Sequence, residues 1–230
     1  MEIKEISELQ AVDFGLGSHI AAAFTGFSDV GSVAWHEFLK RPVNRKIYRH
    51  ETDGPQGFMK ALQSSQKAEK TATSGERSNA VELPVAFYFR KPGMTNSENN
   101  YVIGGKVVWT EAMAKSLNVM LMPVALDYQL FLLSWDKPTL DKMQLAYYAW
   151  ITRHDKFVTK YKIADEVLDV NAYVIDHRTV TWSDVSQPLD GGRLFAVMMP
   201  ISINTQVLAG AEVVIPESVT VDLTLEGYLK

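Results

Sequence analysis

Residues 122–135 (MPVALDYQLFLLSW) alternate with period two, and the chain then switches without a linker to a helical repeat. Val124, Leu126, Tyr128, Leu130 and Leu132 share one face of this stretch, and Ala125, Asp127, Gln129, Phe131 and Leu133 share the other. Asp136 or Thr139 caps the helix that follows, in which Leu140, Met143, Tyr147, Trp150 and Ile151 recur at helical spacing through about His154. A strand with one fully apolar face needs a cover, and a helix joined to it so closely must pack back onto it.

The neighbouring segments extend this into a sheet. Residues 81–90 (VELPVAFYFR) read as a strand, with Pro84 near its start where a missing N–H is tolerated at an edge. Residues 101–110 read as two short strands around a Gly104-Gly105 turn, inside an insertion spanning 91–121. Further strands are expected at 167–175, 178–184, 194–205 and 219–225, separated by turn residues such as the run from Pro188 to Gly192. Short connections make such strands antiparallel, so the expected class is α+β: a mostly antiparallel sheet packed by one main helix at about 139–154. Toward the N-terminus, Ser18 would cap a short helix over 21–24. Ser32 would cap another through Val33, Trp35, Phe38 and Leu39, stopped by Pro42. Residues 60–80 are polar except at Leu62 and read as an exposed loop or frayed helix serving as a linker or insertion. The whole of 1–230 is expected as one domain, with a core at 81–208 and a strand extension at 209–230.

Composition narrows the function. At 47% apolar and 22% charged, the chain belongs with globular proteins rather than disordered ones. A net charge of −4 gives no global attraction to nucleic acid or to anionic lipid. The absence of cysteine excludes disulfides, thiolate metal sites and cysteine nucleophiles together. Apolar runs such as 119–126 and 194–201 are too short to span a bilayer, and the opening MEIKEISELQ resembles no export signal.

The search for chemistry returns little. His36-Glu37 begins a zinc-protease pattern, but Lys40 stands where the second histidine belongs; the other histidines are scattered singly. Gly26 and Gly31 have P-loop spacing, yet Ser32 and Val33 replace the lysine and hydroxyl that meet phosphate and magnesium. The sequence around Ser28 lacks the second glycine of a nucleophile elbow, and Gly15-Leu16-Gly17 lacks the third glycine of a dinucleotide fingerprint. Asp127 sits mid-strand, where a buried carboxylate needs a partner: a structural ion pair or subunit contact, with acid–base catalysis as the sharper alternative. Lys40, Arg41, Arg45, Lys46 and Arg49 form a basic segment free of acids. It reads as a solvated or interfacial face, with nucleic-acid binding the alternative, and the acidic tail bearing Glu212, Glu217, Asp222 and Glu226 offers it a partner. Phe87, Tyr88, Phe89, Tyr147, Tyr148 and Trp150 follow strand and helix periods, which assigns them to the core rather than to a sugar-binding platform. No catalytic residue, cofactor or metal is expected.

The succession VELPVAFYFRK, then MPVALDYQLFLLSWDKPTLDKMQ, then DVNAYVIDHRTVTWSDVS and GRLFAVMMPISINTQVL resembles the family of phage tail terminator and tail sheath completion proteins. The likeness covers roughly residues 81–208 and lies in the pattern: a proline-led strand with Tyr-Gln, a polar turn, a helix, two strands around an acidic turn, and a long strand entered through Gly-Arg. It implies a virion protein, assembled in the host cytoplasm, forming a hexameric ring that caps the head-proximal end of a tail. Its implied partners are further copies of itself, the tail tube or sheath protein, and neck or connector proteins, with no membrane and no sequence-specific nucleic acid. The alternatives are another neck connector ring, or a glycan-binding or hydrolytic module with exposed aromatics in a groove or two carboxylates in one cleft.

Overall fold

The computed structural model describes residues 8–25, 31–52, 54–73, 82–97, 105–110, 115–163, 166–189 and 192–214. The chain order is α1 (Glu8–Ala23), α2 (Val33–Lys40), β1 (Ile47–Arg49), α3 (Pro55–Thr73), β2 (Val85–Arg90), β3 (Thr95–Asn96), β4 (Gly105–Thr110) and β5 (Lys115–Ser134). It continues with α4 (Lys137–Ile151), β6 (Lys156–Ile163), β7 (Glu166–Ile175), β8 (Ser183–Asp184), β9 (Gln187–Leu189) and β10 (Gly192–Val214). The fold is α+β. One curled sheet has the path β1-β2-β5-β10-β7-β6, with β3 and β4 also on β5 and β8 and β9 also on β10. Its ladders are antiparallel except for the parallel β1–β2 pair.

The spine is β5 paired with β10, from Ser134 opposite Phe195 to Ser116 opposite Val214, with one bulge between Leu208 and Gly210. On its other side β5 serves β2, β3 and β4 in turn. Pro123, which has no N–H to donate, stands between the β3 and β4 partners, where no ladder bond is needed on that side. The alternation along β5 sorts as expected. Val124, Leu126, Tyr128, Leu130 and Leu132 enter the main core, while Phe131 and Leu133 enter a second core on the opposite face. Each face is closed by helices. The main core receives Val12, Leu16 and Ile20 of α1, Trp35 and Phe38 of α2, and Leu140, Met143, Tyr147 and Ile151 of α4. The second receives Phe58, Met59 and Leu62 of α3, with the Phe58, Phe87 and Phe131 rings stacked at 4.2 and 4.5 Å. A third cluster joins Val119 and Leu121 to Tyr161, Leu168 and Val170 beside the start of α1.

Several expectations are corrected. The main helix starts at Lys137 and ends at Ile151, with Asp136 as its cap, accepting from the Thr139 backbone N–H at 2.8 Å. It is joined in the main core by α1, a 16-residue helix in which Ser18 is interior rather than a cap. Gly15 and Gly17 disguised this helix, since glycine disfavours helical backbone. They are there for close approach: a Cβ on Gly17 would collide with the Tyr88 hydroxyl, and one on Gly15 would meet the Phe157 ring. Of the two readings of 60–80, loop or frayed helix, residues 60–73 take the helical one as part of α3, which begins at Pro55. Part of the supposed insertion, β4 and the first residues of β5, belongs to the sheet. β2 lies between β1 and β5, not at an edge, and Pro84 precedes its first ladder residue. Residues 176–179 form a turn, leaving only Ser183 and Asp184 of the expected 178–184 strand. The edge strand β6 was unforeseen, although Phe157, Thr159 and Tyr161 alternate inward with Val158, Lys160 and Lys162 outward. The 219–225 strand, Gly104, the glycine motif at 26–30, residues 74–80 and residues 190–191 lie outside the described residues.

Candidate functional site

The most organised polar site is one that no motif announced. Asp13 lies on the inner side of α1 at 1% exposure. Tyr128 of β5 donates its hydroxyl to Asp13 Oδ1 at 2.7 Å, and Arg49 of β1 places Nη2 2.8 Å from Oδ2. Arg90 of β2 stands 3.7 Å from Oδ1, and Tyr88, also of β2, donates to the Asp13 backbone carbonyl at 2.8 Å. One helix residue thus gathers three strands. A carboxylate removed from water is tolerable only with such charge and hydrogen-bond compensation. Burial, then the Asp13 charge, pushes the Tyr88 phenol up to about 12, partly offset by Arg49. Burial chiefly, reinforced by Asp13, raises Tyr128 further. Both phenols therefore remain protonated donors, which is the state the network needs.

Beside the network opens a cleft of about 780 Å³, lined by Leu9, Glu51, Thr52 and residues 89–94, with Arg90 in its wall. A second buried polar group lies farther along α1, against Trp150 and Phe157. His19 Nδ1 accepts from Trp150 Nε1 at 3.4 Å, so the neutral ring carries its proton on the buried Nε2. Burial, assisted by the charge of His154 and opposed by Asp155, lowers this imidazole to about 4.

The basic segment is divided by the fold. Arg41 donates to the Leu83 carbonyl at 2.9 Å and the Pro84 carbonyl at 3.0 Å, pinning the approach to β2. Lys46 is buried, donating to the Leu39 carbonyl at 3.3 Å and lying over the Phe38 ring, and burial lowers its pKa. Arg49 pairs with Asp13. Lys40 and Arg45 are exposed. Glu212 is on β10, while Glu217, Asp222 and Glu226 lie outside the described residues. Asp127, expected as a buried carboxylate, is exposed and accepts from the Ser202 hydroxyl of β10 at 2.6 Å; among the described residues α3 contributes its buried side chains farther along this face, beside Phe131 and Leu133. Of the six aromatics weighed as a platform, Phe87, Tyr88 and Tyr147 are buried, Phe89 and Trp150 are half-buried, and Tyr148 is exposed.

Two surfaces stand out. The outer side of α4 carries Leu145 at 55% and Tyr148 at 44% exposure, one turn apart, with Trp135 exposed just before the helix. The outward face of β6 carries Lys156, Val158, Lys160 and Lys162 at the end of the sheet. Among the described residues no group of three or more His, Asp or Glu is placed to hold a metal ion, and no helix is long and apolar enough to cross a membrane. No protein-family model and no curated protein matches the chain.

Asp13 escaped the sequence reading because acids on helices are ordinarily solvated. The available signal was its place beside Val12 within the Val12, Leu16, Ile20 period, which puts a carboxylate next to an enclosed face.

Proposed function

We propose that the chain is a structural subunit of a protein ring, a hexamer in its simplest form, that caps the head-proximal end of a phage tail and joins it to the neck. The observation that carries this reading is the pair of large apolar side chains, Leu145 and Tyr148, left bare on α4 near exposed Trp135. Paired apolar groups on an otherwise polar helix face lower the free energy when a partner covers them. A ring subunit needs two different surfaces, one for each neighbour, and the apolar α4 face and the lysine-bearing outward face of β6 are chemically different. β5, α4, β7 and the long β10 follow one another as in the tail terminator resemblance, although the second of its two strands around the acidic turn, 178–184, is reduced to Ser183 and Asp184.

The test is electron microscopy of the purified full chain over a concentration series, then with purified tail tubes added. Closed six-fold rings, alone or seated on tube ends, are the expected result. Particles that remain monomeric and leave the tubes bare would overturn the proposal. Rings that bind a head portal and ignore tubes would reassign the chain to the connector.

A further inference from the structure

Asp13 gathers two arginines, and one of them is left over. Arg49 Nη2 sits 2.8 Å from Oδ2 and the Tyr128 hydroxyl donates to Oδ1. Arg90 Nη1, buried, stops 3.7 Å from Oδ1 and has no hydrogen-bond acceptor among the described residues. One carboxylate therefore faces two guanidinium charges, and the second is uncompensated. A partly buried cation without an acceptor calls for an anion. Arg90 also lines the cleft of about 780 Å³, and that opening is the route by which an anion reaches it.

The rest of the lining says which kind of anion fits. Lys91 adds a positive charge and Glu51 a negative one, so together with Arg90 the wall carries one surplus positive charge. That matches a single carboxylate and works against a phosphate dianion. A guanidinium presents paired N–H donors in the fork that a carboxylate accepts, and the Thr52 hydroxyl offers a further donor in the same lining. Leu9, Phe89 and Met94 supply apolar and aromatic surface, and the volume is that of a small-molecule pocket, larger than a lone ion needs. The backbone of Arg90 is held in the β2 ladder opposite Tyr128, so the charged wall stands on a strand. We infer that this cleft is a binding site for a small monocarboxylate on an apolar or aromatic body. Arg90 receives the carboxylate, and Leu9, Phe89 and Met94 receive the body. Asp13 holds Arg90 by charge without taking up its hydrogen bonds, which keeps the guanidinium in place for the ligand. The site goes beyond the ring reading and does not depend on it.

The test is calorimetric titration of the full chain with 4-phenylbutyrate, with the methionine methyl groups followed by NMR to locate the ligand. Saturable binding in the millimolar range is expected, and the Met94 methyl signal, identified through Met94→Leu, should be among those that shift. 4-Phenylbutylamine, the same body with the opposite charge, should not saturate. Phenyl phosphate should bind several-fold more weakly than the carboxylate. Arg90→Lys keeps a charge beside Asp13 and removes the fork, and it should weaken 4-phenylbutyrate several-fold. Met94 is 55% exposed, so Met94→Glu leaves the fold alone while adding a negative charge to the lining, and it should weaken binding to a similar extent. Absence of saturable binding to the parent chain, an unmoved Met94 signal, or equal binding of the amine would overturn the inference. So would tighter binding of phenyl phosphate, or an affinity that Met94→Glu leaves unchanged.

Discussion

Asp13 is the residue whose loss should be felt most. Replacing it with alanine strands the Arg49 and Arg90 charges and the Tyr128 hydroxyl beside an emptied site. Breaking a buried ion pair from one side costs about 3–5 kcal/mol, so Asp13→Ala should lower the urea midpoint sharply, where Lys40→Ala leaves it unchanged within error. His19 sets the behaviour in acid. Its imidazole titrates at the usual 6.5 when unfolded and about 4 when folded, so between those values the unfolded chain binds the extra proton. Stability from this group is whole above pH 6.5 and is lost as pH falls toward 4, by about 3 kcal/mol for a shift of this size. His19→Asn keeps an acceptor for Trp150 Nε1 and should flatten the stability profile over that window, read by denaturant titration at several pH values. Neither residue belonged to a motif. What exposes them is burial, which depends on the strands and helices that surround α1, and a linear reading supplies only the helical period.

Elements were legible where one period ran uninterrupted. α4 was readable nearly to its ends, and β5 from Met122 onward though not over 115–121, because burial there follows a single spacing and Asp136 marks the junction. α1 was not, since its two glycines weaken the local signal in exchange for room that only the folded protein reveals. The trade can be measured. Gly17→Ala adds roughly 1 kcal/mol of helix propensity, yet its methyl group drives into the Tyr88 hydroxyl that bonds the Asp13 carbonyl. The expected result is net destabilisation, with a lower melting temperature. Partial relief from the double variant Gly17→Ala, Tyr88→Phe would confirm that the clash is the cause. β6 is hidden for a different reason: half of its residues are lysine or threonine, so its alternation carries little apolar signal. α3 was obscured because its helix outruns its buried residues, Phe58, Met59 and Leu62, and continues through polar sequence.

For the molecule as a whole, the proposed assembly separates from the stability of the fold. Leu145 and Tyr148 touch solvent, so Leu145→Lys should leave the melting temperature within a few degrees of the parent. The same substitution should abolish rings or tube binding in sedimentation and microscopy. A parallel loss of both would mean that the α4 face supports the subunit itself. The curl of the sheet around α1 bears on the order in which the chain is made. The seat of this helix is completed by β6 and β10, whose residues are synthesised well after those of α1. Contacts so distant in sequence are slow to form. Val12, Leu16 and Ile20 must therefore wait, unburied, until β6 and β10 have been made, and the nascent chain offers chaperones an apolar handle that the folded chain conceals.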